Sequence, residues 1–164
     1  MVSLKQKSGF TIVELLIVIV IIGILAGLVI TTFVGIQQRA RNSERQTDIN
    51  SISSQLEGYF AKNSGYPSLA DLNTAAWREG NEIKMGDADK ALADPSDPAT
   101  TTLAAAAAER VYAYVTTVDG VASTTCISPT DTDGESVAGT VCDGYTLTAT
   151  LEGNAEPYEK SSAN

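Results

Sequence analysis

Between Leu15 and Gln38 the chain carries no charged residue. A hydrocarbon bilayer core takes about 20 apolar residues as a helix, so this stretch is long enough to cross one. A single acid, Glu14, stands at its upstream lip, preceded by Lys5-Gln6-Lys7-Ser8-Gly9-Phe10-Thr11-Ile12-Val13. A carboxylate carried towards the bilayer centre costs roughly 2.5–3.5 kcal/mol on insertion scales. Glu14 therefore needs a reason to be where it is.

The 164 residues have room for one domain of ordinary size plus an anchor. There is no histidine, which excludes histidine acid–base catalysis and histidine metal ligation. Charge is divided unevenly along the chain. Residues 1–46 hold five basic and two acidic side chains, net +3, and the remainder holds six basic and eighteen acidic, net −12. A part that acidic is repelled by phosphate backbones, so direct nucleic-acid binding is not expected. The basic leader differs from an ordinary secretory signal, because the apolar run is too long and no small-x-small cleavage pattern follows it.

Gly9, Phe10, Thr11, Ile12, Val13 and Glu14, between that leader and the aliphatic run, resemble the N-terminus of a type IV pilin or type II secretion pseudopilin precursor. The resemblance is close over the N-terminal part and loose beyond it. It implies that residues 1–9 are a leader, that a membrane prepilin peptidase cuts between Gly9 and Phe10, and that Phe10 becomes the N-methylated first residue. It also places the N-terminus in the cytoplasm. Charge alone leaves that orientation open, with Lys5 and Lys7 on one side of the span and Arg39, Arg41 and Arg45 on the other.

The helix should outrun the membrane. Residues 39–48 contain neither proline nor glycine, and Ile49, Ile52, Leu56 and Tyr59/Phe60 then recur at spacings of three and four. Asn63-Ser64-Gly65 supplies the stop. Residues 10–62 thus read as one helix of about 80 Å, spanning the membrane at about residues 15–38 and amphipathic beyond. Thr31 stands where many pilins carry a proline, so no break is expected there. Gly23 and Gly27 form a G-x-x-x-G step, either a close helix–helix contact in lipid or the ordinary glycine content of a membrane helix. Glu14 also has two readings. Thr11-x-x-Glu14 fits a capping box, and the resemblance implies that Glu14 pairs with the methylated amine of Phe10 on a neighbouring subunit.

Beyond the helix, residues 63–110 read as an αβ connecting region. Gly65-Tyr66-Pro67-Ser68 is a turn, Leu69 to Trp77 holds a helical turn or more, Asp94-Pro95-Ser96-Asp97-Pro98 is a loop, and Leu103 to Arg110 is an alanine-rich helix. Residues 111–164 read as antiparallel sheet. A strand over 111–118 meets Asp119-Gly120, a strong hairpin signal, and then a strand over 121–127. In the strand 145–151, Tyr145, Leu147, Ala149 and Leu151 alternate with threonines, which predicts one buried and one solvated face. The fold class is therefore α+β and pilin-like, a long N-terminal helix packed on a small antiparallel sheet.

The orientation the resemblance implies puts Cys126 and Cys142 outside the cytoplasm, where a disulfide persists; two free buried thiols are the alternative. A bridge would stabilise the fold by roughly 3 kcal/mol in the chain-entropy model. It also conflicts with a second hairpin at Asp143-Gly144. We therefore expect three strands, with 121–126 beside 145–151 and residues 126–142 bounding a stapled loop. Calcium is the one cofactor to weigh, since major pseudopilins often bind it. Asp131, Asp133 and Glu135 are its weak candidates, and Asp87, Asp89, Asp94 and Asp97 form another cluster, but neither has EF-hand spacing and acidic solvated loops explain both.

The resemblance then implies the structural subunit, the major pilin, of a type IV pilus, a homopolymer serving adhesion, twitching motility or DNA uptake. Its expected partners are copies of itself, the prepilin peptidase, an inner-membrane assembly platform with its ATPase, and the membrane before assembly; the end state is an extracellular or periplasmic filament. No nucleophile–base pair points to an enzyme. The rivals are a major pseudopilin of a type II secretion system and a single-span anchored binding module.

Overall fold

The protein's structure is a computed structural model and describes residues 9–129, 138–153 and 156–163. Helix α1 is Ile12–Asn63, 52 residues without a proline. It passes through Thr31 and Thr32 unbroken, and the Thr32 hydroxyl donates to the carbonyl of Leu28 at 3.1 Å, a back-bond that accommodates a polar side chain inside a helix. It stops at the expected place. Ser64 takes the left-handed conformation, with φ 58°, and its N–H donates to the Phe60 carbonyl at 2.8 Å, which caps an otherwise orphaned acceptor.

The chain divides into two compact units, residues 1–39 and 40–164. In the first, the large apolar side chains from Leu15 to Val34 are each more than half exposed. By length and composition this part of α1 can cross a membrane. None of its described residues is buried, because its apolar residues surround the helix on every side.

The second unit holds the rest of α1 with α2 (Leu69–Leu72), α3 (Ala75–Gly80), a 3-10 turn (Asp87–Leu92) and four strands: β1 (Ala113–Val118), β2 (Val121–Ala122), β3 (Gly144–Ala149) and β4 (Tyr158–Ser161). They form one antiparallel sheet in the order β2-β1-β3-β4. The helical stripe Ile49, Ile52 and Leu56 is fully buried. It shares one core with Leu72, Trp77, Leu103, Tyr112, Tyr114, Tyr145 and Leu147. The architecture is the α+β arrangement that the patterning predicts.

The hairpin stands where Asp119-Gly120 points. Val118 pairs with Val121, and Asp119 and Gly120 have φ of 51° and 74°, the two positive values of a type I′ turn. Four expectations are corrected. First, β2 ends at Ala122 rather than running to 127, and β1, not the 121–126 segment, lies beside β3. The tight turn commits β2 to one edge of β1, which leaves the other edge for β3. Second, the sheet has a fourth strand: β4 pairs Tyr158 with Ala149 and Glu159 with Thr148. It is polar because an edge strand buries little, and that polarity hides it from pattern reading.

Third, residues 103–110 are not helical. Ala104 donates to the Tyr112 carbonyl at 2.8 Å and accepts from Tyr114 at 2.9 Å. The Asn73 amide clamps Leu103 from both sides, donating to its carbonyl at 2.9 Å and accepting from its N–H at 2.8 Å. Alanine's helix preference is worth only tenths of a kcal/mol per residue, and an eight-residue helix must also meet the cost of nucleation. These tertiary bonds outweigh it. Fourth, the threonine face of β3 is not solvated throughout: Thr148 is buried, flanked by Ala113 and Glu159 on the adjacent strands.

Cys126 and Cys142 form a disulfide, with Cα atoms 5.1 Å apart. Around it the loop base is laced by Ile127 N–H to the Thr140 carbonyl and Cys142 N–H to the Ile127 carbonyl, while Tyr66 N–H reaches the Cys142 carbonyl at 2.8 Å. Reducing the disulfide is expected to lower the stability of this unit by about 3 kcal/mol, read as a drop in unfolding temperature when the detergent-solubilised chain is heated with and without reductant.

Candidate functional site

At the start of α1 the Thr11–Glu14 box is closed in both directions. Thr11 donates to Glu14 Oε2 from its N–H at 2.8 Å and from its hydroxyl at 2.7 Å, and Glu14 N–H returns a bond to the threonine oxygen at 3.2 Å. Both bonds to the carboxylate fall on Oε2. Oε1 takes no part in the box, and a carboxylate accepts about four hydrogen bonds, so capping leaves Glu14 able to receive a further donor. Gly9 and Phe10 are exposed, Phe10 to 88%. A Cβ placed on Gly23 or Gly27 would meet nothing within 4 Å. Contacts inside this chain do not require glycine there, and the helix surface at both is open to a facing helix or to lipid.

The candidate calcium residues fall into two groups. Asp131, Asp133 and Glu135 lie outside the described residues. Asp89 is paired with Arg78, Asp94 with Arg45, and Asp97 accepts from the Thr100 hydroxyl. Among the described residues no three acidic or sulfur side chains converge on a metal-sized space.

A charged cluster that pattern reading missed gathers around Arg41, Asn42 and Arg45 of the second unit. Arg45 is 2% exposed, and its fork grips Asp94 through Nε at 2.6 Å and Nη2 at 2.9 Å. The same guanidinium donates to Ser96, to Glu152 and to the Asn42 amide oxygen. Arg41 Nε reaches Glu152 at 2.7 Å. Asn42 holds the backbone of Glu152 in both directions, accepting from its N–H at 2.9 Å and donating to its carbonyl at 3.0 Å. Two distant segments, at 94–96 and at Glu152, are thereby tied to one stretch of α1. Arg41, then Arg45, hold the Glu152 carboxyl down to about 2. Burial alone would raise Asp94, but the bonds from Arg45 and the Ser96 N–H outweigh it and leave the carboxyl below its ordinary value. The only sequence signal was three arginines within seven residues.

Further along α1, acids receive tyrosine hydroxyls from other parts of the unit. Tyr112 donates to Asp48 at 2.8 Å, and Glu57 accepts from Tyr145 at 2.9 Å and from Tyr66 at 3.0 Å. With its one hydrogen given to Glu57, Tyr145 accepts from Ser53 at 2.8 Å. Burial pushes the Asp48 carboxyl up to about 6, against the lowering effect of Tyr112 and with help from the negative charges of Glu44 and Asp94.

Against known proteins, a family model described as the prokaryotic N-terminal methylation motif matches residues 4–30. The chain is 33% identical over 97 residues to type II secretion system core protein G of Escherichia coli K12, covering 55% of this chain and 67% of that protein. It is 35% identical over 92 residues to the protein of the same name from Aeromonas hydrophila, covering 49% and 64%. It is 36% identical over 76 residues to the type IV major pilin protein PilA of Myxococcus xanthus DK1622, covering 46% and 34%. The matched stretch thus spans less than two thirds of the A. hydrophila protein and about a third of the M. xanthus one. No solved structure matches the chain.

Two outcomes follow from the charged seam. Arg45→Met leaves Asp94 buried and unpaired, and should cost about 3–5 kcal/mol in thermal unfolding followed by circular dichroism; adding Asp94→Leu should recover most of it. The pH dependence has two limbs. Glu152, held near 2 against an ordinary 4.5, contributes stability that is lost as pH falls from 4.5 to 2. Asp48, held near 6 against an ordinary 3.8, binds its proton more tightly in the folded state, so stability falls as pH rises from 3.8 to 6. Asp48→Asn should abolish that second decline and stabilise the protein at neutral pH by about 1 kcal/mol, after discounting for solvent screening.

Proposed function

We propose, from the premise that this chain belongs to the type IV pilin and type II secretion pseudopilin family, that it is the structural subunit of a type IV pilus. The observation that carries the reading is the apolar surface of α1, exposed from Leu15 to Val34 and starting one residue after a capped carboxylate with a free oxygen. Before assembly lipid covers that surface. In the filament, other copies of the same helix cover it. A contact between unlike patches of successive copies does not close, and it generates an open helix rather than a ring.

Cleavage between Gly9 and Phe10 by a prepilin peptidase would place a methylated ammonium at Phe10. That cation and Glu14 of an adjacent copy would each lack a counter-charge in apolar surroundings, and pairing relieves both. Glu14 Oε1, outside the capping box, is the acceptor such a pairing needs. Gly23 and Gly27 allow close approach of neighbouring helices. The subunit performs no catalysis; an assembly platform with its ATPase drives polymerisation, with the N-terminus starting in the cytoplasm. Adhesion, motility or DNA uptake would be properties of the finished pilus.

A second reading, a pseudopilus of type II secretion, is favoured by the names of the A. hydrophila and E. coli relatives. Electron microscopy separates the two: a pilus subunit produces long surface filaments that vanish when its gene is deleted, whereas a pseudopilin's loss blocks secretion and leaves the cell surface unchanged. For either polymer, the intact mass of the membrane-extracted protein is expected to show residues 1–9 removed and one methyl group added. Glu14→Ala should abolish filaments while the unfolding temperature of the second unit stays within about a degree of the parent, since a surface cap contributes only about 1 kcal/mol and acts locally. Abundant filaments from the trimmed Glu14→Ala protein would refute the pairing.

A further inference from the structure

Residues 40–164 carry eight basic and nineteen acidic side chains, net −11. Copies packed side by side repel one another through that charge. Three of the eight bases, Arg41, Arg45 and Arg110, line one open groove of about 690 Å³, whose acidic lining residues are Glu109 and Glu152. With Asp94, which pairs with Arg45, these charges balance, so the groove is neutral in an otherwise acidic unit. Arg41 and Arg45 are already engaged by Glu152 and Asp94. Arg110 is exposed, and no carboxylate among the described residues lies within ion-pair distance of it.

The position of Arg110 is built rather than loose. Ala108 and Val111 form an antiparallel bridge that closes the Glu109-Arg110 turn, and the Thr150 hydroxyl donates to the Ala108 carbonyl at 3.2 Å. Within that turn Arg110 adopts φ 62°, a left-handed conformation that a long side chain rarely takes. The result is an exposed guanidinium carried on a defined turn of the groove wall, with no carboxylate among the described residues in ion-pair range.

We infer that this groove docks a carboxylate from the acidic surface of a neighbouring copy of the same chain, with Arg110 as the residue that recognises it. The inference rests on the polymerisation proposed above and adds a contact between successive copies outside the apolar helix. A second copy is the occupant that charge complementarity selects, because acids outnumber bases nineteen to eight in residues 40–164 of each arriving subunit. A guanidinium fork offers a carboxylate two parallel bonds. A groove on one copy and an acid elsewhere on the next is again an unlike-patch contact, the type that propagates. The contact also turns like-charge repulsion into attraction at one place, which sets register between copies more than it adds affinity.

The test uses the full chain expressed in its own cells, with filaments sheared off and quantified against total subunit. Arg110→Glu is expected to cut filament yield about tenfold, Arg110→Ala to have a smaller effect, and Arg110→Lys to lie closest to the parent. Raising the salt concentration should narrow the gap between parent and Arg110→Ala, because exposed charges are screened. Lys84→Glu makes the same change in net charge at another exposed site and should leave filaments near parental yield. An intact disulfide and an unchanged unfolding temperature in each variant confirm the fold, with Arg110→Gln replacing any variant that fails that check. Parental yield from Arg110→Glu, or an equal loss from Lys84→Glu, overturns the docking contact and leaves the polymerisation reading standing. Absence of filaments from the parent itself overturns both.

Discussion

Ile49, Ile52 and Leu56 are buried completely, and no other part of α1 buries them. They depend on the sheet. Burying side chains of this size contributes roughly 1.5–3 kcal/mol each, and the polar groups along the same seam are satisfied as it closes: Tyr112 on Asp48, Tyr145 and Tyr66 on Glu57, Tyr158 and Lys160 on Asn50. The remaining elements of this unit are too small to stand without that seam. Helices of four and six residues and a two-residue strand fall far below the length at which isolated elements persist in water.

The same helix presents two different kinds of surface along its length. Where it carries the stripe, its neighbours are tyrosines and leucines of its own chain. Where it is apolar on every side, its own chain offers no cover, and the Thr11–Glu14 box satisfies the helix start while sparing one carboxylate oxygen. A protein that leaves so much apolar surface uncovered needs a second phase, lipid or further copies, to complete it. In the polymerisation proposed above, further copies supply that second phase, and the acidic charge of residues 40–164 would govern how they tolerate one another outside the apolar contact.

Much of this was readable from spacing alone. The uncharged run, the capping box, the stripe at three and four, the stop at Asn63-Ser64-Gly65 and the Asp119-Gly120 hairpin all involve residues within about one helical or hairpin turn of each other. The errors are equally consistent. Residues 103–110 have the composition of a helix, but Leu103 is held by Asn73 and Ala104 by Tyr112 and Tyr114, and β4 has the composition of a polar tail but is paired by β3. The misplaced neighbour of β3 came from letting the cysteines dictate strand order, when the chain had room after Ala122 to leave the sheet and still bring Cys126 to Cys142.

What the amino-acid order determined by itself was whatever a residue settles with partners three or four positions away: where α1 begins and ends, which of its faces is apolar, and where the hairpin turns. Tertiary structure alone decided which acid each arginine meets. Arg45 finds Asp94 across 49 positions and Arg41 finds Glu152 across 111. A charge has no periodicity that names its partner, and one carboxylate resembles another until folding brings particular ones within bonding distance.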